Sequence, residues 1–227
     1  MGDGNDVTLA TYEQAAEVYR ERTTRAGWDG DDAVSLVRAH VPSGGSVLEV
    51  GSGPGWDADR LEALGFQVRR TDATSAFVTM QRAAGHEAHL LDVRRDDPRG
   101  PDGETYDAVL ANAVLLHIDR SELPAVLARL VTAVPEGGVL VATFKAGDGE
   151  EWSRQKVGLP RHFVYWRASR LAAALTGAGW EVVALTEVRT SSTDWLTVVA
   201  RRSSQIDTAS TASPASESAA PTTAGAV

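Results

Sequence analysis

The chain contains no cysteine. That absence excludes disulfides, thiolate zinc sites, cysteine-ligated iron–sulfur clusters and any thiol nucleophile. Lysine is nearly missing too: apart from Lys145 and Lys156 the basic residues are arginine. Long apolar runs are lacking; pieces such as Ala113–Leu116 fall far short of the roughly 18 residues that a membrane span needs. The opening Met1-Gly-Asp-Gly-Asn-Asp has neither basic residues nor an apolar stretch, so the expectation is no secretory signal and a cytoplasmic address. Positive charge is also in deficit, with 22 Lys+Arg against 31 Asp+Glu and a net charge of −9. Such a balance repels phosphate backbones unless the arginines gather on one face. Acids neighbour most of the doublets Arg69-Arg70, Arg94-Arg95 and Arg201-Arg202. Neither nucleic acid nor a membrane is an expected partner, and nothing here fixes the oligomeric state.

What is present is an ordinary globular composition, 43% hydrophobic over 227 residues. It suits one domain of roughly 200 residues with an appendage. The appendage is the stretch Ser203–Val227, in which 20 of 25 residues are Ser, Thr, Ala, Pro or Gly. It offers almost nothing to bury against its ordering entropy and is expected to be a disordered tail.

Residues 8–40 read as two helices, split near Gly27-Trp28-Asp29-Gly30, the second opening with Asp31-Asp32 and stopping before Pro42. From Ser46 short apolar strands alternate with helices. Strands are expected at 46–50, 66–70, 89–91, 106–111 and 138–144, and helices up to Leu64, over Ser75–Ala84 and over Ser121–Val134. Alternation of this kind builds a parallel sheet with right-handed crossovers. After a helix over Ser169–Ala178, the strands Glu181–Val188 and Trp195–Ala200 follow with too short a connection for anything but antiparallel pairing.

The strongest chemical signal is Val47-Leu-Glu-Val-Gly-Ser-Gly-Pro-Gly-Trp56, a strand running through three glycines into a helix. Glycines there let a ligand approach the backbone. Dinucleotide sites need G-x-G-x-x-G. Here the third glycine, Gly55, comes one position early, and Trp56 stands where that pattern has glycine. The turn, with Glu49 two residues before Gly51, resembles motif I of the class I S-adenosylmethionine-dependent methyltransferases, E/D-x-G-x-G-x-G. Further motifs follow in the family's order. Asp72 ends the second strand, Asp92-Val93 follows the third, and Asn112-Ala113 lies in the fourth-strand region. Pro135-Glu-Gly-Gly-Val-Leu-Val141 resembles the turn into strand five, and Gly177-Ala-Gly-Trp180 the approach to strand six. The resemblance spans about residues 8–202.

It implies an α/β fold: a three-layer Rossmann-like sandwich around a seven-stranded, mostly parallel sheet with an antiparallel edge strand. Residues 1–45 would be a helical lid on a core of residues 46–202. The implied cofactor is S-adenosylmethionine. Its glycine loop would be Gly51, Ser52, Gly53 and Gly55, with Glu49 towards the cofactor's amino end. Asp72, next to Ala73, would take the ribose, Asp92 and Val93 the adenine, and Asn112 and Ala113 would lie beneath the methionine part. Tyr12 and Tyr19, seven apart on one helix face, resemble lid tyrosines of related enzymes, though core packing explains that spacing too.

Catalytic groups are sparse in such a reaction, because the sulfonium is already a strong electrophile. The Asn/Asp-Pro-Pro-aromatic motif of amide and adenine amino methyltransferases is missing, and without cysteine the thiolate route to a pyrimidine ring carbon is closed. Only Asp119 follows strand four, so no metal site is expected. His117 and His162 are the candidate bases, since imidazole can take a proton at neutral pH; a structural role for His117 stays open. Trp152, Arg161 and Tyr165 fall in a segment rich in aromatics that resembles a substrate-pocket wall, with helix packing the alternative. The expected activity is methyl transfer to oxygen or nitrogen of a small molecule. The alternatives are a cofactor-binding protein that acts on a protein partner or lacks transferase activity and, less favoured, a nicotinamide-dependent oxidoreductase.

Overall fold

The computed structural model describes residues 4–23, 32–190 and 193–204. The expected helix break at Gly27–Gly30 and all but two residues of the expected tail lie outside the described residues.

Five parallel strands form the centre of the sheet: β1 (Ser46–Val50), β2 (Gln67–Asp72), β3 (Ala88–Leu90), β4 (Ala108–Ala111) and β5 (Val139–Ala146). They lie in the order β3-β2-β1-β4-β5. Chain order reverses between β1 and β4, and that switch point is where a ligand is expected above the strands' carboxyl ends. Of the five strands, β1, β4 and β5 are buried nearly throughout, as strands covered on both faces require, while β2 and β3 towards the edge are only partly buried. Helix α1 (Gly4–Arg22) precedes α2 (Ala33–His40); α3 (Trp56–Ala63) and α4 (Ser75–Ala83) make the first crossovers, and α5 (Leu123–Val131) leads into β5.

The sheet has nine strands, two more than the sequence pattern shows. The seven expected ones are present near their expected bounds. The additional pair is an antiparallel hairpin, β6 (Glu150–Ser153) with β7 (Arg161–Trp166), inside the aromatic segment after β5. Strand β7 adds to the end of β5 through Lys145↔Tyr165 and Ala146↔Trp166. After α6 (Ala168–Gly177) come β8 (Trp180–Val188) and β9 (Trp195–Arg202). The antiparallel member of this last pair is β9, which lies between β5 and the edge strand β8.

Apolar side chains fill both faces. Val34 and Val37 of α2 pack with Val47, Leu61, Leu110 and Val141 on one face; Leu123, Leu127 and Leu130 of α5 pack with Leu171, Leu175 and Trp180 on the other. Helix α2 is therefore a layer of the sandwich. Among the described residues of the expected 1–45 unit, α1 lies over the sheet's carboxyl ends, and Asp32 and Ala33 at the start of α2 reach the same side. Helix α1 docks there through a polar face: Asn5, Thr8 and Thr11 are all buried. A non-helical Ala15 (φ −118°, ψ 17°) kinks it midway.

Candidate active site

The glycine turn between β1 and α3 is built to be rigid. Gly51, Gly53 and Gly55 all have left-handed φ (67°, 53° and 93°). A Cβ at Gly51 would collide with Val114. Inside the turn, the Ser52 amide donates to the Thr71 carbonyl at 2.9 Å, while the Ser52 hydroxyl accepts from the Thr71 amide at 3.1 Å. Gln81 of α4 donates to the Gly53 carbonyl at 2.9 Å. The Asp72 carboxylate, at the end of β2, accepts from the amides of Gly53 and Thr74, both at 2.8 Å. Burial raises its pKa, outweighing those two hydrogen bonds.

Two cavities open on this turn. The smaller, about 90 Å³, is walled by Asp72, Ala73, Phe77, Asp92 and Val93 from the β2 and β3 ends, and roofed by Thr8, Leu9 and Tyr12 of α1. The larger, about 410 Å³, runs over Glu49, Ser52, Trp56 and Asp57 towards Thr143, Trp195 and Thr197. Tyr19, Gly51, Gly53, Asn112 and Ala113 line both, so the two adjoin across the turn. At the junction Asn112 donates to Asp57 at 2.7 Å and its carbonyl accepts from the Thr143 hydroxyl at 2.8 Å. Thr143 also accepts from the amide of Ala113, a residue held left-handed at φ 58°. Lys156, the other non-glycine residue with a left-handed φ (68°) among the described residues, lines the larger cavity; Arg22 donates to its carbonyl at 2.8 Å.

The candidate bases fare differently from expectation. His117 lines the smaller cavity, yet neither ring nitrogen is open. Its Nδ1 lies 2.5 Å from the carbonyl oxygen of His162, which can only accept, so Nδ1 carries the proton and donates. Nε2 is then the acceptor, and the Tyr12 hydroxyl donates to it across 3.2 Å. Burial depresses the pKa of His117 to about 3, so the ring is neutral at physiological pH. With both nitrogens engaged, the geometry favours the structural role left open above for His117. His162 lines neither cavity: its ring sits between Glu150 (3.1 Å) and Asp119 (3.4 Å), against Trp152 and Gly4.

The residues of the expected pocket wall line neither cavity. Trp152 is 51% exposed. The Tyr165 hydroxyl donates to Glu151 at 2.5 Å, and the ring lies outside both cavities. Strand alternation puts Trp152, paired with His162, and Tyr165 on opposite faces of the β6–β7 hairpin, so the two form no common wall. Arg161 is buried and reaches the site at second hand, donating to the Tyr12 oxygen at 3.1 Å. Gly55 lines neither cavity; it abuts Arg70 and Gln81 behind the turn. Asp32, Asp57, Gln81 and Thr143 were missed by the sequence reading. Of these only Asp57, in the first turn after the glycine run, and Thr143, a polar break in an apolar strand, left a signal.

The family model described as a methyltransferase domain matches residues 14–185. The chain belongs to this methyltransferase family. No curated protein matches it by sequence. Among solved structures, this methyltransferase is similar to the 1,6-didemethyltoxoflavin-N1-methyltransferase of Burkholderia thailandensis, with bound 1,6-didemethyltoxoflavin and S-adenosylhomocysteine. The identity is 18%, covering 90% of this chain and 92% of that one, at a TM-score of 0.67. It is also similar to DhpI in complex with SAM and HEP (19% identity, 88% and 99% covered, TM-score 0.68). A third likeness is CcbJ from Streptomyces caelestis, a methyltransferase (18%, 86% and 98%, TM-score 0.66). These share the Rossmann-like fold.

S-adenosylmethionine is the cofactor of the methyltransferase, and the site fits it. Backbone without Cβ lines the turn at Gly51 and Gly53, a buried carboxylate ends β2, and two adjoining cavities lie at the switch point. No helix among the described residues is long and apolar enough to cross a membrane.

Proposed function

We propose that the protein methylates oxygen or nitrogen of a small-molecule acceptor. The observation that carries this reading is the larger cavity: at about 410 Å³ it extends well beyond the glycine turn, within the range of small-ligand sites. Its far wall consists of Thr143, Thr197, Trp195 and Val188, a mixture of hydroxyl and apolar groups suited to a small organic molecule. One solved neighbour of the same fold holds 1,6-didemethyltoxoflavin alongside S-adenosylhomocysteine. The net charge of −9 disfavours a nucleic acid acceptor.

In this reading Glu49, Ser52 and the Gly51 and Gly53 backbone hold the amino-acid end of the cofactor above Asn112 and Ala113. Asp72 and Ala73 face its ribose. Asp92 and Val93 face its adenine, beneath a lid formed by α1, with Tyr12 and Tyr19 in the roof. When bound, S-adenosylmethionine supplies an electrophilic methyl group for in-line displacement. The chain's own contribution is to position the acceptor and exclude water. With both ring nitrogens of His117 engaged and His162 outside both cavities, the acceptor in this reading is one that loses its proton without a dedicated imidazole. The test is incubation of the protein with methyl-labelled cofactor and a panel of phenols, amines and N-heterocycles, with products identified by mass spectrometry. Label entering only protein, or none of the panel, would refute the proposal.

A further inference from the structure

Three hydrogen bonds run in series through the buried roof of the smaller cavity. Arg161 Nη1 donates to the Tyr12 hydroxyl, Tyr12 donates to His117 Nε2, and His117 Nδ1 donates to the His162 carbonyl. The chain joins α1, the turn after β4 and strand β7, segments separated by 105 and 149 positions from Tyr12. Every proton has a defined direction, because guanidinium can only donate and a carbonyl can only accept. Tyr12 is the one member of the series that both sits in it and meets the other roof aromatics, Tyr19 at 5.3 Å and Phe77 at 5.8 Å between ring centres.

The surrounding contacts are of the same kind. Asn5 donates to the His117 carbonyl at 3.1 Å, Thr11 to the Pro160 carbonyl at 2.6 Å, and the His162 amide donates to the Thr8 hydroxyl at 2.9 Å. Helix α1 is thus registered on the core by directional bonds, where an apolar face would tolerate sliding. A misplacement of Tyr12 by one rotamer would move the wall of the smaller cavity, since its ring forms part of that wall.

We infer that His117 and Arg161 are positioning residues, acting through Tyr12 to hold α1 where it completes the adenosine end of the cofactor site. This rests on the S-adenosylmethionine-dependent reading and assigns His117 a task other than proton removal. Burial keeps the Tyr12 phenol protonated and His117 neutral, so the series keeps its direction across the physiological range.

The experiment is calorimetric titration of the full chain with S-adenosylhomocysteine, alongside the melting temperature of each ligand-free variant. Tyr12→Phe removes one oxygen and keeps the ring; the affinity should fall about fivefold, the loss expected for one buried hydrogen bond, with little change in melting temperature. Arg161→Met should do the same, and the double variant should lose less than the product of the two, because both cut one series. His117→Gln offers one donor and one acceptor and should restore most of the affinity that His117→Phe loses. Should His117→Phe fail to fold, the Tyr12 and Arg161 variants decide the matter alone. Parent-like affinity in Tyr12→Phe, or fully multiplicative losses, would overturn the inference while leaving the cofactor reading intact. A parent chain that does not bind S-adenosylhomocysteine would overturn both.

Discussion

Asp6 in α1 and Arg94 beyond β3 meet at 2.7 Å across 88 positions of sequence, and the same guanidinium group holds the Asp92 carboxylate at 3.1 Å. Asp92, proposed above to face the adenine, is thereby connected to α1. Arg94 is almost fully buried in this arrangement, while Asp6 is half exposed.

The first expectation concerns this pair. Arg94 holds the Asp6 carboxyl below the usual carboxylate range, so its contribution is complete above about pH 4 and is lost as the pH falls below that. A partly exposed pair contributes about 0.2–1 kcal/mol and is screened by salt. Asp6→Asn should therefore weaken S-adenosylhomocysteine binding by up to about fivefold in dilute buffer. The difference should vanish in roughly molar salt, where the Debye length is only about 3 Å. Titration at both ionic strengths checks it; a salt-independent difference would show that shape, and not charge, was lost.

Asp72→Ala removes a buried acceptor that serves two backbone amides and faces the ribose position. The loss of cofactor affinity should reach about 1.5–3 kcal/mol, the range for hydrogen bonds to a charged group. Calorimetry giving an affinity within twofold of the parent would remove Asp72 from the ribose assignment.

His117 makes a prediction about pH and stability. Its folded pKa lies near 3, below the ordinary value of 6.5, so in between the unfolded chain takes up a proton that the folded chain refuses. Stability from this group is fully present above about pH 6.5 and declines as the pH falls, by at most about 1.4 kcal/mol per unit. Denaturant midpoints measured from pH 7.5 to 4.5 should fall more steeply for the parent than for His117→Gln. Parallel curves would show that His117 titrates normally.

Thr143→Val keeps shape and deletes the hydroxyl that connects Asn112 to the strained Ala113 amide. Two part-buried groups lose a partner, at a cost of about 1–3 kcal/mol each if water does not replace it. Chemical denaturation should report the loss. A variant as stable as the parent would mean that water enters the larger cavity at this point.

The alternating strands and helices were legible because each crossover leaves a local imprint: an apolar run, a glycine or proline stop, an acid at the strand's end. The glycine turn and Asp72 were legible for the same reason, being set by fewer than thirty consecutive residues. The β6–β7 hairpin was not. Its residues Trp152, Phe163, Tyr165 and Trp166 are aromatic on both faces, so the period-two signal of a strand is blurred, and a buried arginine and histidine interrupt it. The fate of the histidines was equally hidden. What saturates His117 comes from Tyr12 and His162, 105 and 45 positions away, and no local pattern records that meeting.

The polar underside of α1 has a thermodynamic consequence. Undocking a helix held by apolar area exposes hydrocarbon to water and carries a large positive heat capacity change, whereas exposing polar groups changes heat capacity in the opposite sense. Asn5, Thr8 and Thr11 supply the second kind of surface and partly offset the first kind from Ala15, Ala16 and the Tyr12 ring. Movement of α1 should therefore contribute less to the curvature of the binding free energy with temperature than an all-apolar face would, and the strength of its hold should vary more gently between cold and warm conditions.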